Sequence, residues 1–251
     1  MHGNLFRVLL ALACGCQAGH SDRAAPAGFE QLRVDLRHAP RGLWRDAKGT
    51  FTRKSVLIPL AVAGGAAAVL KSNLETNDYF RDHEVLSSAA NDAGDLFGTG
   101  AILIGGAAGL YAYSMAGDDE HAHEASKALL GALAVTGAST LVLKQAIDAK
   151  RPTGSRRAFP SGHSSMAMTT AAVLEEYYGW GVGIPAYALV GLVGLQRLDS
   201  ESHDVADVLF GLTLGYVVGK SVSDIHAEER RFSLYADPEL GRLGLTLHLR
   251  R

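Results

Sequence analysis

An all-α fold built on six helices, closed by a short C-terminal β-hairpin or strand, is what the sequence predicts. Three observations carry that prediction. Six apolar segments rich in Ala, Gly and Leu recur along the chain, each bounded by polar residues and each long for a strand. Hydrophobic residues make up 47% of the 251 residues and charged residues 20%, which suits one domain with a sizeable core. The last stretch changes period: Leu243, Leu245, Leu247 and Leu249 alternate with Gly244, Thr246, His248 and Arg250, a strand pattern.

Taken in order, residues 1–18 read as a secretory signal. Arg7 precedes an apolar run from Val8 to Ala13, and small residues surround a cleavage point after Ala18. Cys14 and Cys16 leave lipid modification open as a second route, and an uncleaved hydrophobic N-terminus as a third. Both cysteines of the chain lie here, so cleavage after Ala18 leaves no disulfide framework. Residues 19–54 form an Arg-rich lead-in. Phe29, Leu32, Leu36, Leu43, Trp44 and Phe51 are interleaved with Arg33, Arg37, Arg41, Arg45 and Arg53. That pattern fits an amphipathic helix lying on a membrane surface, or equally a solvated strap packed across the core.

The helical domain is expected over residues 55–224. Its segments run near Val56 to Leu70, Phe97 to Met115, Ala128 to Leu143, Ser164 to Tyr178, Val182 to Leu195 and Val205 to Val222. The pairs Gly64-Gly65 and Gly105-Gly106 are expected to let helices approach closely. The last segment shows an apolar face at Val205, Val208, Leu209, Leu212 and Tyr216. Several segments lie at or below the length of about 17–25 residues that a bilayer-spanning helix needs. Residues 225–251 form a tail with the strand pattern above and no function legible in it. The net charge of -2 gives no reason to expect a nucleic-acid partner.

Three polar clusters interrupt the apolar chain: Lys144 to Pro152, Pro160 to His163, and Arg197 to Asp207. A phosphoryl group spreads negative charge over three oxygens and needs several fixed cations and N–H donors. Lys144, Arg151 and Arg197 supply the cations, the arginines with a planar fork that fits two phosphate oxygens. Ser161 and Gly162 stand directly before a helical run, so Ser161 caps the helix and its free N–H groups face an anion. His203 and Asp207 are four apart and share a helix face. A carboxylate on one ring nitrogen leaves the other free as a nucleophile. His163 is then placed to protonate the leaving oxygen. This inventory transfers phosphoryl groups without a metal or other cofactor. His121 and His123 make a His-x-His pair, but no third ligand is evident and a solvated loop is the reading there. Asp199, Glu201 and Asp204, around His203, read as surface acids.

The three clusters resemble the signature of the phosphatidic acid phosphatase type 2 family, which includes bacterial class A acid phosphatases and vanadium haloperoxidases. Lys144 and Arg151-Pro152 match its Lys-x6-Arg-Pro element, Pro160 to His163 match Pro-Ser-Gly-His, and Arg197, His203 and Asp207 match Ser-Arg-x5-His-x3-Asp. Gln196 stands where the family usually has Ser. The resemblance covers roughly Ser55 to Ser223. It implies a six-helix core bundle of that family's kind and a phosphohistidine on His203 that water hydrolyses, with His163 acting as acid and then base. Membrane members of the family present the catalytic loop outside, whereas a cleaved leader followed by six spans puts Gln145 to Pro160 inside. The combined expectation is an exported protein of the bacterial cell envelope, its helices forming a globular or membrane-associated bundle. The expected substrate is a phosphomonoester or diphosphate. A lipid phosphate is favoured because apolar helices surround the site. The alternatives are a soluble broad-specificity acid phosphatase and, from another class, a non-catalytic envelope binding or scaffold protein. The haloperoxidase branch is disfavoured by the short chain.

Overall fold

Five of the six apolar segments each lie within one helix, whereas the expected segment Phe97 to Met115 is split at Thr99, which ends one helix and starts the next. The computed structural model describes residues 25–72, 79–80, 83–151, 153–237 and 242–247. The expected signal segment, and Pro152 of the first polar cluster, lie outside them. Among the described residues the helices are α1 Ala25–Thr52, α2 Lys54–Ser72, α3 Ser88–Gly98, α4 Gly100–Gly117, α5 Glu120–Ile147, α6 Gly162–Tyr178, α7 Trp180–Asp199 and α8 Val205–Arg231. Strands β1 Phe232–Asp237 and β2 Arg242–Leu247 pair antiparallel, with Phe232 opposite Leu247 and Asp237 opposite Arg242. The chain divides into two compact units, Met1–His38 and Ala39–Arg251.

Caps explain why the helices outlast their apolar windows. Asp119 accepts a hydrogen bond from the Ala122 backbone N–H and starts α5 well before Ala128. The carboxylate of Glu120 and the ammonium of Lys144 sit at the helix ends that their charges favour. Helix α5 thereby reaches 28 residues, and α8 has 27. Five helices, α2, α4, α5, α7 and α8, are long and apolar enough to cross a membrane. Apolar side chains point outward on several of them, among them Ile58, Val62, Ile104, Leu141, Val142 and Ile184.

Helix α6 is packed against α3, α4, α5, α7 and α8. The core beside it holds Leu133, Phe159, Val173, Phe210, Leu214, Val218 and Val222. Hydroxyl pairs tie the central helices together. Thr136 Oγ1 lies 2.8 Å from Thr169 Oγ1, Thr140 Oγ1 lies 3.1 Å from Ser165 Oγ, and Thr169 Oγ1 donates to the Gly215 carbonyl at 3.2 Å. Such bonds hold helices together where there is little hydrophobic drive between them.

The glycines that bring helices together are not the expected ones. An added Cβ at Gly65, Gly105 or Gly106 would meet nothing within 4 Å, and one at Gly64 would make an ordinary contact with Phe210 at 3.7 Å. Gly65, Gly105 and Gly106 face outward. The close approach belongs to Gly211, Gly215 and Gly219, one small residue per turn of α8. There a Cβ would meet the Ser161 carbonyl oxygen at 2.7 Å, collide with the Ser165 carbonyl, and meet Ala172 Cβ at 2.9 Å. The expected apolar face of α8 is also corrected. Leu209 and Tyr216 are exposed, and the buried positions are Ala206, Val208, Phe210, Leu214, Val217, Val218 and Val222. The helix is enclosed on most sides, so its buried arc is wider than one stripe.

Within the second unit, the last turns of α1 pack on the bundle through Asp46 and Thr50, both buried, while Trp44 stays 71% exposed. Asp46 Oδ2 lies 3.2 Å from His226 Nε2 of α8, and Arg53 Nη2 pairs with Glu228 at 2.7 Å. This part of the lead-in is therefore a strap packed across the core, with an aromatic residue left outside.

Candidate active site

The site forms where the C-terminal ends of α5 and α7 meet the N-terminal ends of α6 and α8. Four elements distant in sequence converge there because α6 and α8 lie in contact along their glycine stripe. The Ser161 backbone N–H donates to the Asp207 carbonyl at 3.0 Å, which locks the start of α6 to the start of α8. Ser161 is fully buried, and its hydroxyl caps α6 by accepting from the Ser164 N–H at 3.4 Å and pairing with Ser164 Oγ at 2.9 Å. Gly162 opens α6, with Lys144 Cε 4.0 Å from where its Cβ would be.

His203 is buried, and its Nδ1 lies 3.2 Å from Asp207 Oδ2. Asp207 is fully buried and fixes that ring nitrogen, so Nε2 is the one left for chemistry. The His203 backbone N–H donates to the Arg197 carbonyl at 3.1 Å, so the loop between α7 and α8 holds both residues together. Burial first, with Lys144 and Arg151 adding to it, pushes the His203 imidazole below its ordinary range, while Asp207 opposes. His163 stands in the first turn of α6, which is not one of the five long apolar helices. Burial and then Arg197 push it down to about 4, and Asp95 pulls the other way.

Lys144 reaches from α5 to the loop and donates to the carbonyls of Arg157 at 2.9 Å and Ala158 at 3.1 Å. That loop folds on itself. The Arg151 N–H donates to the Ser155 carbonyl at 2.7 Å, Ala158 N–H donates to Ala149 at 2.9 Å, and Gly154 turns the chain with φ 89°. Arg151 Nε is buried and has no hydrogen-bond partner among the described residues. Its charge acts on Lys144, His163, Arg197 and His203, so it sits among all the predicted cations and both histidines. A buried guanidinium donor left open costs about 1–3 kcal/mol or more, which an anion in the site would recover. Arg197 is buried too, its Nε donating to Gln196 Oε1 and its Nη2 to Asp95 Oδ1. Gln196 thus fills a hydrogen-bonding place beside Arg197 with its own amide oxygen.

All eight sequence-predicted residues are therefore gathered at one end of the bundle. Two partners were missed. Lys71, at the end of α2, pairs with Asp207 Oδ1 at 3.0 Å and with Asp204 Oδ2 at 2.8 Å. Asp95, from α3, pairs with Arg197 and lies 3.5 Å from His163 Nε2. No local sequence signal singles out Lys71, which reads as a helix-end lysine. Two of the supposed surface acids have structural work. Asp204 also accepts from the Asp207 N–H at 2.8 Å, and Asp199 accepts from the Val85 N–H at 2.6 Å and from Asn91 at 2.8 Å. His121 faces the Tyr177 carbonyl at 3.0 Å, and His123 lies 3.4 Å from Ser114 Oγ. Among the described residues no group of three or more His, Cys, Asp or Glu is arranged to hold a metal ion.

This arrangement can hold a phosphate between Arg151, Arg197, Lys144 and the start of α6, with His203 and His163 beside it. Comparisons with known proteins agree with the fold. The PAP2 superfamily model matches residues 125–231. A lipid A 1-phosphatase from Porphyromonas gingivalis is 29% identical over 93 residues, which is 35% of this chain and 21% of that relative's length. The chain therefore matches about a fifth of that protein. Among solved structures, the crystal structure of the first transmembrane PAP2 type phosphatidylglycerolphosphate phosphatase from Bacillus subtilis superposes with a TM-score of 0.56 at 21% identity. It covers 75% of this chain and all of that one, and at this identity the likeness speaks for the fold. Residues 125–231 are thus similar to the PAP2 superfamily, and the fold is like that of the solved phosphatase structure.

Proposed function

We propose that the protein is a membrane-embedded phosphatase of the bacterial cell envelope that hydrolyses a phosphomonoester or diphosphate, a lipid phosphate before others, through a phosphohistidine and without a metal. One observation carries the reading: the His203–Asp207 pair stands among three cations, one of which, Arg151, holds a buried donor open. His203 Nε2 attacks phosphorus, the N–P bond forms, and the P–O bond to the leaving group breaks. His163 gives the departing oxygen its proton. Water then attacks phosphorus, His163 takes the proton back, and inorganic phosphate and free His203 are released. Lys144, Arg151, Arg197, Ser161 and Gly162 hold the phosphate oxygens, and Asp207 orients His203 with Lys71 behind it. The phosphate dianion is the charge that returns a proton to His163.

The membrane part of the reading is supported by the five long apolar helices and by the apolar residues facing outward from them. Both compared proteins are named for phosphates of lipids. The outward-facing apolar surface weighs against a soluble acid phosphatase. The test is phosphate release in the presence of a chelator, from one lipid phosphate in detergent and one soluble aryl phosphate. Release from the lipid in preference is the expected result. Preference for the soluble ester would move the protein to the broad-specificity reading, and release from neither by folded protein would leave a binding or scaffold role.

The pH profile has a sign. A nucleophilic imidazole works only when neutral. His203's lowered value keeps it neutral as pH falls through the ordinary imidazole value of about 6.5. His203 is therefore expected to put no acid limb on kcat/KM above that pH. An acid limb centred above about 6.5 would contradict the buried, cation-flanked environment of His203.

A further inference from the structure

Asp95 is the one carboxylate in contact with both Arg197 and His163 among the described residues, and no part of the reaction above uses it. Its Oδ1 pairs with Arg197 Nη2 and lies 3.5 Å from His163 Nε2. The two side chains differ in setting: Arg197 is 8% exposed and Asp95 57% exposed, so the carboxylate approaches the guanidinium from the solvent side. Two glycines make the approach possible. A Cβ at Gly94 would meet Gln196 Cβ at 2.5 Å, and one at Gly98 would meet His163 Cδ2 at 2.8 Å. Helix α3 is thereby seated against α7 and the start of α6, with Asp95 between the two contact points. Asn91 on the same helix is bonded to Asp199 of α7 at 2.8 Å, and Ser87 caps the helix.

We propose that Asp95 is a plug of the anion site: its carboxylate occupies, in the empty protein, the place of a substrate phosphate oxygen, and substrate must displace it. Carboxylate and phosphate present the same kind of oxygen to a guanidinium fork, so they compete for Arg197. The second neighbour of that oxygen is His163, the other group that must meet the substrate. The plug keeps a buried arginine paired while the site is empty. It also weakens every anion's apparent affinity by the fraction of time the site is open, since apparent Kd is the intrinsic Kd divided by that fraction. Asp95 is exposed enough to swing into solvent without unpacking α3. The inference rests on the phosphatase reading for the identity of the ligand.

The test is titration of the purified full-length protein in detergent with inorganic phosphate, for wild type, Asp95→Asn and Asp95→Glu. Asp95→Asn keeps the shape and removes the charge, and its Kd is expected to fall about tenfold, the scale of removing one like charge next to an anion. Asp95→Glu keeps a carboxylate in reach of Arg197 and is expected to stay within a few-fold of wild type. Unchanged or weaker phosphate binding by a folded Asp95→Asn overturns the plug, since a residue that merely supports Arg197 would weaken binding when altered. Should Asp95→Asn fail to fold, a side chain that swings out freely is excluded and the plug falls with it. Failure of wild type itself and of both variants to bind phosphate would overturn the phosphatase reading as well, whereas binding by wild type with no gain in Asp95→Asn would sink this inference alone.

Discussion

Turnover is expected to vanish in His203→Ala, with kcat falling by roughly 10⁴-fold or more, the scale seen when a nucleophile is removed from a site whose members act as a unit. The expectation rests on geometry. His203 is buried against Asp207, its backbone is bonded to the Arg197 carbonyl, and its Nε2 is the ring nitrogen that Asp207 does not engage. Rapid-quench measurement of phosphate release, with circular dichroism to confirm that the helices persist, checks it. Trapped phosphoprotein should be present in wild type and absent from the variant. A residual rate above about a hundredth of wild type would remove His203 from the nucleophile's role. Asp207→Asn is a useful companion. It keeps the ring contact but loses the charge that faces His203 and Lys71, so a smaller loss than for His203→Ala is expected.

Stability is expected to collapse in Gly215→Val. At this position a Cβ would collide with the Ser165 carbonyl, meet Met168 Cβ at 2.9 Å and the Thr169 N–H at 3.0 Å. Two of those neighbours are backbone of α6 and cannot give way as a flexible side chain could. Overpacking typically costs about 1–3 kcal/mol, and a β-branched residue against backbone belongs at or beyond the top of that range. The effect should reach the site as well, because α6 carries Ser161, Gly162 and His163 and α8 carries Asp207. Thermal unfolding in detergent is the measurement, with Gly105→Ala as the control. A Cβ at Gly105 meets nothing within 4 Å, so that change should leave the melting temperature unchanged or raise it slightly. Equal losses in both variants would mean that helix propensity, not the contact between α6 and α8, sets the result.

The contrast between those glycines shows where a linear reading ends. Gly64-Gly65 and Gly105-Gly106 stand out as pairs, and pairs invite a packing role. The stripe Gly211, Gly215, Gly219 is equally visible in the sequence, at four-residue spacing, yet spacing alone does not say whether a stripe faces a helix or the outside. The same limit holds for α8's apolar face, where Leu209 and Tyr216 turn outward although they fit the periodic pattern. Hydrophobicity drives a residue out of water, and on helices with apolar outer surfaces it no longer separates inside from outside.

Local sequence nominated the candidate site residues wherever their partners are local. His203 stands in the loop two residues before α8 and Asp207 in its first turn, so the expected shared helix face is replaced by a loop-to-helix contact at the same four-residue spacing, while Ser161 caps the helix it precedes and Lys144 and Arg151 flank one turn. Five of the six apolar segments likewise dictated one helix each, because periodicity and backbone satisfaction act over a few residues, whereas the break at Thr99 inside the remaining one carries no such signal. Tertiary structure alone decided what those groups would meet. Lys71 lies 136 residues before Asp207, and Asp95 lies 102 residues before Arg197, as their numbers in the chain give. Asp95 reaches Arg197 because Gly94 and Gly98 seat α3 against α7 and the start of α6, and Lys71 reaches Asp207 because α2 packs along α8. An ion pair between residues far apart in sequence leaves no periodic trace, since its strength depends on distance in space, and that distance is set by how whole helices pack.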